Sequence, residues 1–259
     1  MKLRNSIRSA RLNLLRRLSA SSGTVLEETG NLLVIAPHPD DEAFGCGGLL
    51  AQRKRSGQDA HIFFLTEGET SHLGCCTVPE DLIGSTRHAL AFNANAALGI
   101  SRDKLHFLDG KDGHLPRTGE KGFFKFAEKV ADRIERCRPE AIFCPHPFEG
   151  WSDHIAAEEL TGAAINRLSY EPQLFYYCVW FWYGMPLNRA WHVKWRNARL
   201  LDITGQLSLK KRAVNIYLQA KAPCGAPWVG KLPPEFLRAF DWGKELFFKA
   251  DRPLAALVR

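Results

Sequence analysis

Short apolar runs, each followed by a stretch with helical periodicity, are the feature that most limits what this chain can fold into. Asn31–Ala36 (NLLVIA), His61–Leu65 (HIFFL), Leu105–Leu108 and Ala141–Cys144 (AIFC) are too short for core helices and are rich in branched or aromatic residues. Each therefore reads as a buried strand. Helical spacing is expected over residues 46–56, 80–98, 122–137 and 155–168. Leu174–Val179 and Arg199–Ile203 read as further strands, with the latter a candidate for an antiparallel edge. Two late helices are expected near 206–219 and 234–248. Strands and helices alternating in this way predict an α/β protein: a Rossmann-like three-layer sandwich around a mostly parallel sheet. In such sheets the ligand site lies beyond the carboxyl ends of the strands, where strand order reverses.

The first strand runs into Pro37-His38-Pro39-Asp40-Asp41-Glu42, and the fourth into Pro145-His146-Pro147-Phe148-Glu149-Gly150-Trp151-Ser152-Asp153-His154. Three adjacent acids repel one another in water and are costly to bury, unless a cation stands beside them. A His nitrogen with a carboxylate oxygen suits zinc, and iron or manganese less specifically. His38 and Asp41 could share an ion, with His154 as a third ligand and one position open for chemistry. Asp40 lies between the first two ligands and could take a proton from a water, while Asp153 could orient a ligand or relay a proton. The other reading of both clusters is a helix N-terminus, where acids interact favourably with the helix dipole and proline is tolerated.

Gly45-Cys46-Gly47-Gly48 invites a dinucleotide-binding reading, but the intervening carboxylates would repel a pyrophosphate. Close packing of a helix on the sheet explains these glycines more simply.

The charge is uneven. Lys2, Arg4, Arg8, Arg11, Arg16 and Arg17 precede the first acid, and without them the net charge of +7 falls to +1. Residues 1–23 thus read as a basic arm and 24–259 as one domain. With Leu3, Ile7, Leu14, Leu15 and Leu18, the arm is either an amphipathic contact with an anionic membrane or a segment that packs on its own domain or stays partly disordered. A nearly neutral body argues against nucleic acid as a partner. The seven cysteines form no C-x-x-C pair and read as free thiols, with Cys144 and Cys178 buried. The absence of a long apolar run and of a secretory pattern gives a cytoplasmic expectation, with peripheral contact at the inner membrane surface through the arm.

The P-H-P-D-D-E and S-D-H stretches resemble the PIG-L/LmbE-like family of metal-dependent deacetylases, and the likeness extends over about residues 31–250. The resemblance implies zinc held by His38, Asp41 and His154, with Asp40 as general base and an N-acetylated amino sugar, free or in a glycoconjugate, as substrate. Thr66-Glu67-Gly68-Glu69 is similar to the family's T-x-G-E and implies Glu69 at the substrate. Arg87 matches a substrate-binding arginine, and Leu108–Gly113 is similar to L-G-x-x-D-G, which implies Asp112 near the sugar. Lys210, Ala213, Gln219, Glu245 and Phe247 match softer late motifs.

Three positions depart from the pattern. Trp151 stands where the family has a histidine that assists the leaving amine, which makes His146 either the nearest replacement acid or a structural strand-end histidine, and Trp151 a candidate substrate contact. Leu90 and Ala91 occupy the region of a usual glutamate, and Tyr217 stands where a histidine often occurs. Trp180, Trp182, Tyr183, Trp191 and Trp195 offer either sugar-stacking faces or a cover for the last strands. Competing functions are an amidase of the same architecture with a non-sugar substrate, and a non-catalytic carbohydrate-binding relative.

Overall fold

The computed structural model describes residues 2–26, 30–185 and 187–251. In chain order the elements are α1 (Lys2–Ser22), β1 (Thr24–Val25), β2 (Leu32–Ala36), α2 (Asp41–Arg55), β3 (Ala60–Thr66), α3 (Glu80–Ala97) and β4 (Leu105–Gly110). They continue with α4 (Phe123–Cys137), β5 (Ala141–Pro145), α5 (Ser152–Ile165), β6 (Gln173–Tyr177), α6 (Phe181–Gly184), β7 (Ala198–Asp202), α7 (Leu207–Gln219), α8 (Pro234–Leu237) and β8 (Lys244–Lys249).

All eight strands join one sheet in the order β1-β7-β8-β6-β5-β2-β3-β4. β2 pairs in parallel with β3 on one side and β5 on the other, so strand order reverses between β2 and β5. Side chains along β2 alternate between two cores, as a two-residue repeat requires. Leu32, Val34 and Ala36 face the core shared with α2 and α7, whereas Leu33 and Ile35 face the core under α4 and α5. The expected three-layer α/β sandwich is present.

One expected element is replaced. Residues 234–248 do not form a single helix: after α8 and a short 3-10 turn the chain enters β8. This strand is the antiparallel member of the sheet, pairing with both β6 and β7. It lies inside the sheet, and β7, expected at an edge, is separated from the margin by β1. The run Glu245–Phe248 is buried on both faces, which a helical repeat over the same letters could not achieve.

The glycines of α2 are packing residues. A Cβ at Gly45 would stand 2.4 Å from Tyr177, and one at Gly48 would stand 2.4 Å from Ile203. The helix thus lies close against β6 and the end of β7. Behind it, Lys210 Nζ donates to Glu245 Oε1 at 2.6 Å, and the same carboxylate accepts the Gly48 and Leu49 N–H groups at 2.7 and 2.8 Å. This buried pair ties α7, β8 and α2 together, so the late sequence matches at 210 and 245 serve the scaffold.

α1 packs on its own domain. Leu12 and Leu15 are buried, and the guanidinium groups of Arg11 and Arg16 donate to the backbone carbonyls of Met185 and of Arg238 and Ala239. Leu14 remains exposed, while the side chains of Leu3 and Ile7 lie outside the described residues. Of the two readings of the arm, packing on the domain accounts for the described part. Among the described residues no helix is long and apolar enough to cross a membrane.

Removing one member of a buried ion pair leaves the other charged and unpaired. Lys210→Met and Glu245→Gln are each expected to lower stability by about 3–5 kcal/mol, with the double variant less destabilised than the sum of the two. Chemical denaturation of the four proteins checks this.

Candidate metal centre

The loops leaving β2 and β5 meet where strand order reverses. α2 begins at Asp41 and α5 at Ser152, so both expected helix N-termini exist, and the same residues also form the cluster. Ligand atoms of His38, Asp41 and His154 lie within 4.8 Å of one another. His38 Nδ1 is 3.2 Å from Asp41 Oδ2, and His154 Nε2 is 3.4 Å from the same oxygen. These separations match two ligand atoms on one zinc ion, which a tetrahedron of ~2.0–2.1 Å bonds sets at about 3.3–3.4 Å.

The far side of each imidazole meets a carboxylate. His38 Nε2 lies 3.2 Å from Asp153 Oδ2 and 3.1 Å from Asp112 Oδ1. His154 Nδ1 faces Glu149 Oε2 at 3.3 Å. Carboxylates behind histidines fix the tautomer and make the opposite nitrogen a better ligand. Glu149, fully buried, also accepts the backbone N–H groups of Val179, Trp180 and Phe181 at 2.9, 2.5 and 3.1 Å, so its position is fixed by the turn after β6. Its role escaped the sequence reading. The available signal was an acid inside an otherwise aromatic strand-end loop.

Burial works against charge on His38, but Asp112, Asp153 and Asp41 outweigh it and raise its pKa well above the usual imidazole value. A field that draws a proton onto a metal-binding imidazole also favours a divalent ion in the proton's place. The residues present therefore fit a zinc-like ion held by His38, Asp41 and His154.

Asp40 caps α2 with φ 137° and ψ −29°, a conformation costly for any residue except glycine. Its N–H donates to Glu42 Oε2 at 3.0 Å, and the preceding carbonyl, of Pro39, accepts Arg87 Nη2 at 2.7 Å. The Arg87 guanidinium lies 3.6 Å from the Asp40 carboxylate and also donates to Gly68 O at 2.9 Å. Burial, then the neighbouring Asp41, raise the Asp40 pKa well above the ordinary carboxylate value, and Arg87 opposes them. Glu42 points away from the cluster into the core. There Tyr217 and Asn95 donate to it at 2.6 and 2.9 Å, and burial pushes its carboxyl up to about 7. Tyr217 thus acts on Glu42 and, through it, on the backbone of Asp40.

A cavity of about 420 Å³ opens over the cluster. Asp40, Arg87, Asp112, Trp151 and Asp153 line it together with the three candidate ligands. Trp151, 54% exposed, stands beside Trp180 with ring centroids 5.2 Å apart, forming an aromatic wall. The tryptophan-rich segment divides: Trp180 lines the cavity, Trp182 is buried in the core and Trp191 is exposed.

Two expected site residues are placed elsewhere. Glu69 accepts the Asp112 N–H at 2.9 Å and is not part of the cavity wall, so it acts on the Asp112 loop. His146 lines a separate cavity of about 260 Å³ and packs among Phe148, Phe181 and Phe248. Burial alone drives its pKa down to about 3. It is neutral at physiological pH and does not face the cluster, which corrects its expected role as proton donor.

The model of the PIG-L family, described as GlcNAc-PI de-N-acetylase, matches residues 33–165. The chain belongs to the PIG-L family. It is 28% identical over 194 residues to a 1D-myo-inositol 2-acetamido-2-deoxy-alpha-D-glucopyranoside deacetylase of Mycobacterium sp. (strain KMS), covering 67% of this chain and 62% of that protein. A diacetylchitobiose deacetylase of Thermococcus kodakarensis is 29% identical over 163 residues, covering 59% of this chain and 55% of that one. The chain therefore spans little more than half to three fifths of these relatives. The crystal structure of the A40926 pseudoaglycone deacetylase Dbv21 superposes with a TM-score of 0.64 over 88% of this chain and 100% of that one, at 18% identity. At that identity the likeness speaks for the fold alone.

Asp153 connects His38 to the loop after β4, accepting the Gly113 N–H at 2.7 Å. Asp153→Asn is expected to weaken divalent-metal binding ~10–100-fold, read by competition with a chelator. Unchanged affinity would detach Asp153 from the metal centre.

Proposed function

We propose that this protein is a zinc-dependent N-deacetylase whose substrate is an N-acetylated amino sugar, carried in a glycan or glycolipid. The observation that carries this reading is the convergence of His38, Asp41 and His154 beside Asp40, at the floor of a cavity with an aromatic wall. The relatives named above, acting on acetamido sugars, support the substrate class.

A zinc ion held by His38, Asp41 and His154 would supply Lewis acidity to a water and to the amide carbonyl. The other steps fall to the chain itself. Asp40, whose pKa burial raises, accepts a proton as the water attacks the amide carbon. An amine leaves poorly unless protonated, and Trp151 holds no titratable group for that purpose. With His146 outside the cavity, protonated Asp40 returns the proton to the departing nitrogen. Arg87 keeps the carboxylate in place through its own contact and through Pro39 O. The faces of Trp151 and Trp180 take the apolar face of a sugar ring.

Acetate release from N-acetylglucosamine conjugates, compared with acyl-amino compounds, tests the proposal. Asp40→Asn is expected to keep the metal and lose at least ~10²-fold in turnover. Full turnover in that variant would remove Asp40 as the base. Release from acyl-amino compounds alone would favour the amidase reading. Metal binding and sugar binding with no acetate released would favour a non-catalytic carbohydrate-binding protein.

A further inference from the structure

A second group of metal-ligand side chains lies outside the candidate centre. His72, Cys75 and Cys76 follow β3, and Cys224 sits in the turn after α7. The Cys75 sulfur is 3.6 Å from both Cys76 Sγ and Cys224 Sγ. His72 Nδ1 lies 3.1, 3.7 and 3.5 Å from the sulfurs of Cys75, Cys76 and Cys224. Tetrahedral zinc with Zn–S of ~2.3 Å and Zn–N of ~2.0–2.1 Å places its sulfurs about 3.8 Å apart and nitrogen about 3.6 Å from sulfur. The observed spacing fits that tetrahedron closely, whereas a disulfide would need ~2.05 Å between sulfurs.

The imidazole is oriented for ligation. His72 is 1% exposed and its Nε2 lies 2.9 Å from the carbonyl oxygen of Pro227, to which it donates. That bond places the proton on Nε2 and leaves the Nδ1 lone pair directed at the three sulfurs, the arrangement of a histidine ligand held from behind by a backbone carbonyl. Trp228 packs edge-on against the ring at 5.6 Å. The backbone fixes the cysteines too. Cys75 N donates to His72 O at 3.2 Å, and the turn bearing Cys224 is closed by Ala222 N donating to Ala226 O at 2.9 Å.

We infer that His72, Cys75, Cys76 and Cys224 form a structural Cys3His zinc site, separate from the candidate catalytic centre. Four protein ligands leave no open position, as in sites that hold a fold together. The ion would join two segments that otherwise meet through few bonds, such as Ser71 Oγ donating to Trp228 O at 2.9 Å. Both segments border the large cavity, with Thr70 and Ser71 on one side and Val229, Gly230 and Lys231 on the other. Thr70 also donates to Asp112 Oδ2 through N–H and hydroxyl at 2.8 and 2.7 Å, so the staple reaches the carboxylate beside His38. Binding displaces the thiol protons to solvent and changes no oxidation state.

The test uses the full chain purified without chelator. His154→Ala protein, impaired at the candidate catalytic centre, is expected to retain about one zinc per chain by elemental analysis. With cobalt in place of zinc it should show thiolate-to-metal charge-transfer absorption, absent from the Cys75→Ser/Cys76→Ser/Cys224→Ser variant. Because that variant risks misfolding, wild-type protein is also alkylated and mapped by mass spectrometry. Cys75, Cys76 and Cys224 should be protected, and stripping the metal should raise their modification rate at least ~10-fold. Zinc-free His154→Ala protein, equal alkylation with and without chelator, or a Cys75–Cys224 disulfide would each overturn the proposal. Loss of acetate release with this zinc retained would bear on the catalytic reading alone.

Discussion

Four carboxylates, those of Asp40, Asp41, Asp112 and Asp153, share a small buried space with the imidazoles of His38 and His154, and their mutual repulsion must be answered by positive charge. Arg87 answers for Asp40, and backbone N–H groups answer part of Asp112 and Asp153. What remains is concentrated where His38 and His154 face Asp41. Much of the surrounding structure can be understood as support for that concentration. The strained Asp40 backbone is held on one side by Glu42 and on the other by Arg87, while Glu149, itself held by the turn after β6, faces His154. An arrangement this charged is costly to bury unless a cation stands among the side chains, and the metal centre proposed above would supply one.

Most of the sheet could be read from the sequence because β2, β3 and β5 are largely apolar and each is followed by a helix of ordinary length. β8 could not. Leu246–Phe248 is an apolar run of only three residues between charged ones, preceded by Phe236 and Phe240 at helical spacing, and periodicity alone cannot separate the two states over so few residues. β1, two residues long, has no periodicity to read.

The site was legible to the extent that its residues are adjacent in sequence. His38, Asp40 and Asp41 stand in one hexapeptide, and Asp153 and His154 are neighbours in the S-D-H triplet. Glu149 was visible but unassigned, because its partners are backbone groups some thirty residues away. His146 misled for the opposite reason: the strand-end position was right, but its ring packs among aromatics and lines a different cavity. The cysteine cluster gave no sequence pattern, since adjacent Cys75 and Cys76 meet Cys224 only through the fold.

The place of β8 bears on how such a chain can be made. It is the last of the described strands, yet it separates β6 from β7 and β1. Until β8 has been made, β6 has an unpaired margin, and β7 with its partner Thr24–Val25 has no link to the rest of the sheet. The Met185 and Ala239 carbonyls that receive α1 come from late segments as well. Synthesis stalled before residue 244 would leave an apolar strand edge open to other chains, and the insertion of β8 is what closes it.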